Sequence, residues 1–320
     1  MKVEIPEAVK ADIPPNRWGK VLVSTPVVMA VVATALAGLA SSEMTKAQYQ
    51  RSLAAQQQSK AGDQWSFYQA KRLREALQRQ TLDVMQDRET AEPLTAGTFL
   101  AAIAALPGEG AIAKVRAQLS DLLGESRGQQ ALAVLAAGTV AQPSMPPLPP
   151  AITKALDALA SPADESVAVE GVDDQLLEGS LAVVRQQVLA FDSSIKPVLS
   201  TVDQVEHLLD SLAHEQAGRA LRRACVIARL RLTANRYAAE SRLNQEIANL
   251  EEVAVAQSNR EAEHHRLRSG HFFMGMLAAQ LGVIVSTMAV AAKQRSLLWG
   301  IAAAAGLVAV SFASYVYAFT

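Results

Sequence analysis

Apolar residues are gathered into three unbroken runs, while the rest of the chain mixes apolar and polar positions with a helical period. Residues 21–40 read VLVSTPVVMAVVATALAGLA, 272–292 read FFMGMLAAQLGVIVSTMAVAA, and 297–319 read LLWGIAAAAGLVAVSFASYVYAF. None carries a charge, and each reaches the roughly 20 apolar residues that cross a bilayer as a helix. Core helices of soluble proteins normally keep a polar face, which these runs lack. The pattern therefore predicts three transmembrane helices, the last two joined by a turn at 293–296.

Between the first and second runs the period is that of long helices. Residues 42–90 hold no proline and only Gly62, and they are rich in helix formers. Ala70, Leu73, Leu77 and Val84 follow a 3–4–7 spacing and are the expected packing stripe of a helix over 41–91. A return helix is expected over 201–271, after Pro197. Its stripe shifts register, from Val202, Val205, Leu209 and Leu212, through Ile227, Leu230, Ala234 and Tyr237, to Leu243, Ile247, Leu250 and Ala254. Two stripes that each need cover imply a long antiparallel coiled-coil-like hairpin.

The 92–200 segment differs in kind. Glycine and proline punctuate it, and the run from Gln142 to Pro150 is a proline-rich linker, read either as a stiff spacer or as a ligand for a polyproline reader. Short helices are expected near 95–106, 111–123, 128–137 and 151–160, with another over 175–191 that ends ahead of Pro197. Together they form a small helical tip. The fold class is thus an all-α membrane protein: a tail at 1–20, spans at 21–40, 272–292 and 297–319, helices at 41–91 and 201–271, and the tip at 92–200.

Composition sharpens this picture. Half the chain is hydrophobic, 5% is aromatic, and alanine is the commonest residue, which disfavours a β-sandwich or barrel. A net charge of −1 gives no basis for nucleic acid as a partner. The lone Cys225 excludes an internal disulfide framework. Lys10, Arg17, Lys20, Lys293 and Arg295 lie in short segments on one side of the spans. The positive-inside bias then places the N-terminus inside and the large domain outside a bacterial inner membrane. Residues 21–40 also resemble a signal peptide, so a retained anchor and a cleaved signal are both open.

Residues 63–72 read Asp-Gln-Trp-Ser-Phe-Tyr-Gln-Ala-Lys-Arg. Trp65, Tyr68, Gln69, Ala70 and Lys71 fill a W-x-x-Y-Q-A-K pattern that resembles the signature of an uncharacterised bacterial membrane-protein family, domain of unknown function 4337. The basic helix end at Glu263-His264-His265-Arg266, leading into two closely spaced spans, is similar to that family as well. The resemblance covers roughly 15–91 and 215–320 and implies topology, since the family carries no established activity. Trp65, Tyr68 and Arg72 fall at i, i+3 and i+7. They are read either as an aromatic lock against the returning helix, with Arg72 stacked or paired there, or as a recognition patch. Gln69 and Lys71 are candidates for cross-helix polar contacts.

Other chemistry is sparse. Arginine recurs from Arg219 to Arg242, opposed within that stretch only by Glu240, while Asp164, Glu165, Glu170, Asp173, Asp174 and Glu178 form an acidic tract. Interhelical ion pairs account for both; an anionic-ligand site is the alternative. Glu261 and His265 are i, i+4 but lack a third metal ligand. No nucleotide loop, nucleophile motif or metalloprotease helix occurs, so catalytic, cofactor and metal residues are each expected to be none. The expectation is a non-enzymatic, membrane-anchored scaffold, homo-oligomeric, using the bilayer and a protein partner at the 92–200 tip. An oligomeric channel or transport-accessory protein is the alternative, disfavoured by spans without ionisable groups.

Overall fold

The computed structural model describes residues 17–87, 95–106, 110–142, 144, 147–160, 169, 171–212, 216–291 and 295–319. Among them are eight helices and no strand: α1 (Arg17–Asp87), α2 (Ala96–Ala104), α3 (Gly110–Gly124), α4 (Ser126–Ala137), α5 (Pro150–Leu159), α6 (Asp174–Asp210), α7 (Gln216–Ala291) and α8 (Arg295–Phe319). Helices α1, α7 and α8 each contain a stretch long and apolar enough to cross a membrane. Two compact units are built from these helices: residues 1–56 with 255–320, and residues 57–254.

In the first unit, the apolar parts of α1, α7 and α8 pack through small residues. Ala279 and Ala309 are fully buried, and Met29, Leu36, Phe272 and Val316 close around them. Hydrocarbon offers these helices no hydrophobic drive to associate, so close approach of backbones carries the packing. Gly282 shows why: a Cβ there would lie 2.5 Å from Met29 Cε and 3.5 Å from Ala305 Cβ. Pro26 lies inside α1 without ending it, as transmembrane helices allow when neighbours cover the freed carbonyl.

The core of the second unit lies between α6, α7 and the short helices. Phe99, Leu119, Leu135, Leu209, Cys225 and Leu232 are at its centre. Local chemistry sets the helix starts. Thr95 and Thr98 form a capping box on α2, Pro150 occupies the first turn of α5, and Asp173 accepts from the Leu176 amide at 2.6 Å to cap α6. Gly138, at φ +62°, ends α4 in the left-handed conformation. Its carbonyl accepts from Asn235 Nδ2 of α7. The four expected short helices are present, each within two residues of its predicted ends.

The expected break at Pro197 is absent, and α6 continues through it to Asp210. Residues 201–210 therefore belong to the helix before the turn, and the return helix starts at Gln216. An interior proline costs about 3 kcal/mol. Phe191, Ile195, Val198, Val202, Val205 and Leu209 nevertheless form one buried stripe across it, and burial of one such side chain is worth about 1.5–3 kcal/mol. Packing outweighs the local preference. Ser193 and Ser194 turn their hydroxyls back onto the carbonyls of Ala190 and Phe191 at this point.

Candidate functional site

The face of α1 that is buried is set by spacing of three and four, but its residues are small or polar. In the first unit it comprises Ala33, Leu36, Ala40, Glu43, Ala47, Gln50 and Ala54; in the second, Gln57, Ala61, Gln64, Tyr68, Lys71, Glu75, Gln78 and Leu82. Alanine at one heptad position and glutamine, glutamate or lysine at the other make a narrow, polar seam. The expected stripe faces elsewhere: Leu73, Leu77 and Val84 are 63%, 52% and 48% exposed, and Ala70 is exposed with them.

In the second unit, two of the motif residues, Trp65 and Lys71, bond to α7. The Trp65 indole N–H donates to Glu252 at 2.7 Å, and its ring meets Tyr68 edge-on at 5.4 Å. Lys71 donates to Glu240, whose other oxygen accepts from Arg236 Nε at 2.5 Å. Lys71, Arg74 and Arg236 lie 5.4, 5.9 and 5.2 Å from the centre of the Tyr237 ring, so the quadrupole of that ring and the Glu240 carboxylate share the positive charge. Glu251, also buried, accepts from Arg185 of α6 at 2.8 Å. A cavity of about 160 Å³ adjoins the cluster, lined by Phe67, Lys71, Phe191, Glu240 and Asn244 among others.

The remaining motif residues are outside this cluster. Gln69 and Ala70 are exposed, and Arg72 donates to Glu75 one turn along its own helix at 2.9 Å, rather than stacking on Trp65 or Tyr68. Sequence reasoning missed Glu252 and Glu251, which have no distinguishing spacing. Glu240 was marked only as the one acid within the arginine stretch.

That stretch takes its counter-charges from α6. Arg222 bonds Asp210 at 2.5 Å, and Arg229 bonds Asp203 at 2.6 Å and also Glu206. The acidic tract serves other ends: Asp173 caps α6, while Asp164, Glu165 and Glu170 lie outside the described residues. The Cys225 thiol is fully buried, and burial raises its pKa to about 12, which makes it inert in the closed fold.

The first unit holds a second polar group. Glu43 accepts from Lys46 at 2.9 Å with one oxygen and from His265 at 2.6 Å with the other. Gln50 donates to Glu261 at 2.5 Å, and the Ser269 hydroxyl donates to the Ala40 carbonyl at 2.8 Å. Burial would push the Glu43 carboxyl up, but the hydrogen bonds from Lys46 and His265 and the nearby Arg268 charge hold it below the ordinary value. Glu261 and His265 thus serve different partners. Among the described residues, no group of three His, Cys, Asp or Glu side chains could hold a metal ion.

Residues 18–127 match the model of a family described as a domain of unknown function (DUF4337). The match spans the positions of Trp65–Arg72 and runs on through α2 and α3. No curated protein and no solved structure matches the chain. The Glu240 and Glu43 carboxylates each have both oxygens paired within the chain, so what they do chemically is fix the register of α1 against α7.

Proposed function

We propose that this protein is a non-enzymatic, membrane-anchored helical scaffold that assembles with further copies of itself through α1. One observation carries the reading: Leu73, Leu77 and Val84 stand outward on the face of α1 opposite its seam, at coiled-coil spacing. Exposed apolar residues singly are ordinary; three in register on a helix otherwise clothed in Gln, Arg and Asp form a stripe that a second helix can cover. The carboxylates of the polar seam, paired within the chain, support a scaffold rather than a reactive site. The channel reading draws less support, because the apolar stretches of α1, α7 and α8 contain no ionisable side chain.

The test is disulfide crosslinking in native membranes. With Cys225→Ser to remove the only native thiol, Leu77→Cys should give an oxidant-dependent dimer. Arg72→Cys, on a different side of the same helix, should not. Absence of the Leu77→Cys dimer, or equal crosslinking from both positions, refutes assembly through this stripe.

A further inference from the structure

On α7, just before the second apolar run, His264, Arg268, His271 and Gly275 recur at steps of four, three and four residues and so share one face. The Gly275 end of this face packs on α8: a Cβ there would lie 3.3 Å from Phe312 Cβ and 3.4 Å from the Ala309 carbonyl. Beside it, His271 contacts the rings of Tyr315 at 5.3 Å and Phe312 at 6.4 Å. These residues, with Val308 and Ser311, line an almost wholly apolar groove of about 380 Å³.

The polar end of this face is electrically incomplete. Arg268 Nε is buried and has no hydrogen-bond partner, a costly condition for a guanidinium N–H. Glu43 of α1, whose carboxyl feels the Arg268 charge, has one oxygen engaged by Lys46 and the other by His265. His271 commits Nδ1 to the Leu267 carbonyl at 2.8 Å, which leaves Nε2 for an outside group. Burial first, and then the charges of Arg268 and His265, hold the His264 pKa below its ordinary value, so Arg268 is the fixed cation of the face.

We infer that this face binds one anionic phospholipid, its phosphate on Arg268 and His271 and an acyl chain in the groove along Val308, Phe312 and Tyr315. Arginine near the end of an apolar span sits at the depth of lipid phosphates, and turning the guanidinium outward onto a phosphate oxygen gives the buried Arg268 Nε the acceptor it lacks within the chain. A zwitterionic lipid presents the same chains with its phosphate charge offset by a cation, so the site discriminates by net charge. The inference rests on the apolar stretches lying in a bilayer.

The experiment is native mass spectrometry of the full chain, delipidated in mild detergent and titrated with phosphatidylglycerol or phosphatidylcholine. Wild type should bind one phosphatidylglycerol about fivefold more tightly than phosphatidylcholine, on the order expected for one interfacial arginine. Arg268→Gln should bring the two lipids to parity. Ser311→Trp, which fills the groove, should weaken both about fivefold or more, whereas Arg266→Gln, whose exposed side chain pairs with Glu263, should change neither. Equal binding of the two lipids by wild type, or an unchanged preference in Arg268→Gln, overturns the site. So does competition by chainless glycerol phosphate at the concentration at which phosphatidylglycerol itself competes. Should Arg268→Gln lose its helical circular dichroism, the wild-type preference and Ser311→Trp decide alone. A chain that stays dispersed without detergent would refute the membrane reading itself; a detergent-dependent chain without lipid preference refutes only this site.

Discussion

Glu240 is the residue on which the motif region turns, and replacing it with glutamine tests the register role assigned to the seam. The carboxylate accepts from both Lys71 and Arg236, and its side chain is 9% exposed against 23% for Lys71. Glutamine keeps the shape and one acceptor oxygen but removes the charge. Hydrogen bonds to charged groups contribute about 1.5–3 kcal/mol and neutral ones about 0.5–1.5, so two weakened bonds cost about 2 kcal/mol in all. Cys225, buried in the same unit and the only cysteine, reports the loss directly. Where closing is fast, its labelling by a thiol reagent follows the population of the opened core, and about 2 kcal/mol corresponds to about a 30-fold rise in rate. Lys71→Met removes one of the two bonds and should raise the rate about tenfold. In the double variant the effects should fall short of additive by about 1 kcal/mol, because both substitutions delete the same pair. A Glu240→Gln rate within twofold of wild type, or strictly additive effects, would refute the assignment.

The same thiol assay separates two glycines. A Cβ on Gly128 would lie 1.9 Å from the Leu122 carbonyl oxygen and 2.8 Å from Leu123 Cα, both backbone, whereas Gly124 has nothing within 4 Å of that position. Gly128→Ala should therefore raise Cys225 labelling by about 30-fold or more, the cost of forcing the α3–α4 turn apart. Gly124→Ala should leave it near wild type, and the reverse order would sink the packing account. In the first unit, the lowered Glu43 pKa gives a sign to acid behaviour. A carboxyl depressed in the fold stabilises it above its unfolded pKa, and that contribution is lost as pH falls through the folded value. Lys46 on α1 and His265 and Arg268 on α7 face this group. Amide exchange in peptides covering 41–50 and 260–268, corrected for intrinsic rates, should thus quicken below about pH 4.5. Glu43→Gln should exchange faster at neutral pH and show little further acid response; an acid response equal to wild type would remove Glu43 as its source.

The legible parts of the fold were those with strong local signals. Uncharged runs of 20 residues announced the membrane-spanning stretches, and glycine, proline and capping residues marked the short helices. The Pro197 break failed because the buried stripe from Phe191 to Leu209 decides the helix, and no local rule weighs six long-range contacts. The seam failed for a different reason. A search for large aliphatic side chains at helical spacing finds Leu73, Leu77 and Val84, while alanine and glutamine look like helix filler. Yet Ala40, Ala47, Ala54 and Ala61 are spaced by seven, as are Glu43, Gln50, Gln57, Gln64 and Lys71, and that repeat was the available signal. Trp65, Tyr68 and Lys71 were found by their motif. Their partners Glu252 and Glu240 come from residues 169–187 positions away, a pairing that only the fold reveals.

The central claim is assembly through the outward face of α1, and particle mass in a mild detergent tests it most directly. By light scattering with the detergent contribution subtracted, wild type should have the mass of at least two chains. Leu73→Lys with Leu77→Lys, which leaves the seam untouched, should have the mass of one while keeping wild-type helicity. A wild type that is a single chain at micromolar concentration, or a double-lysine variant that stays assembled, would contradict it.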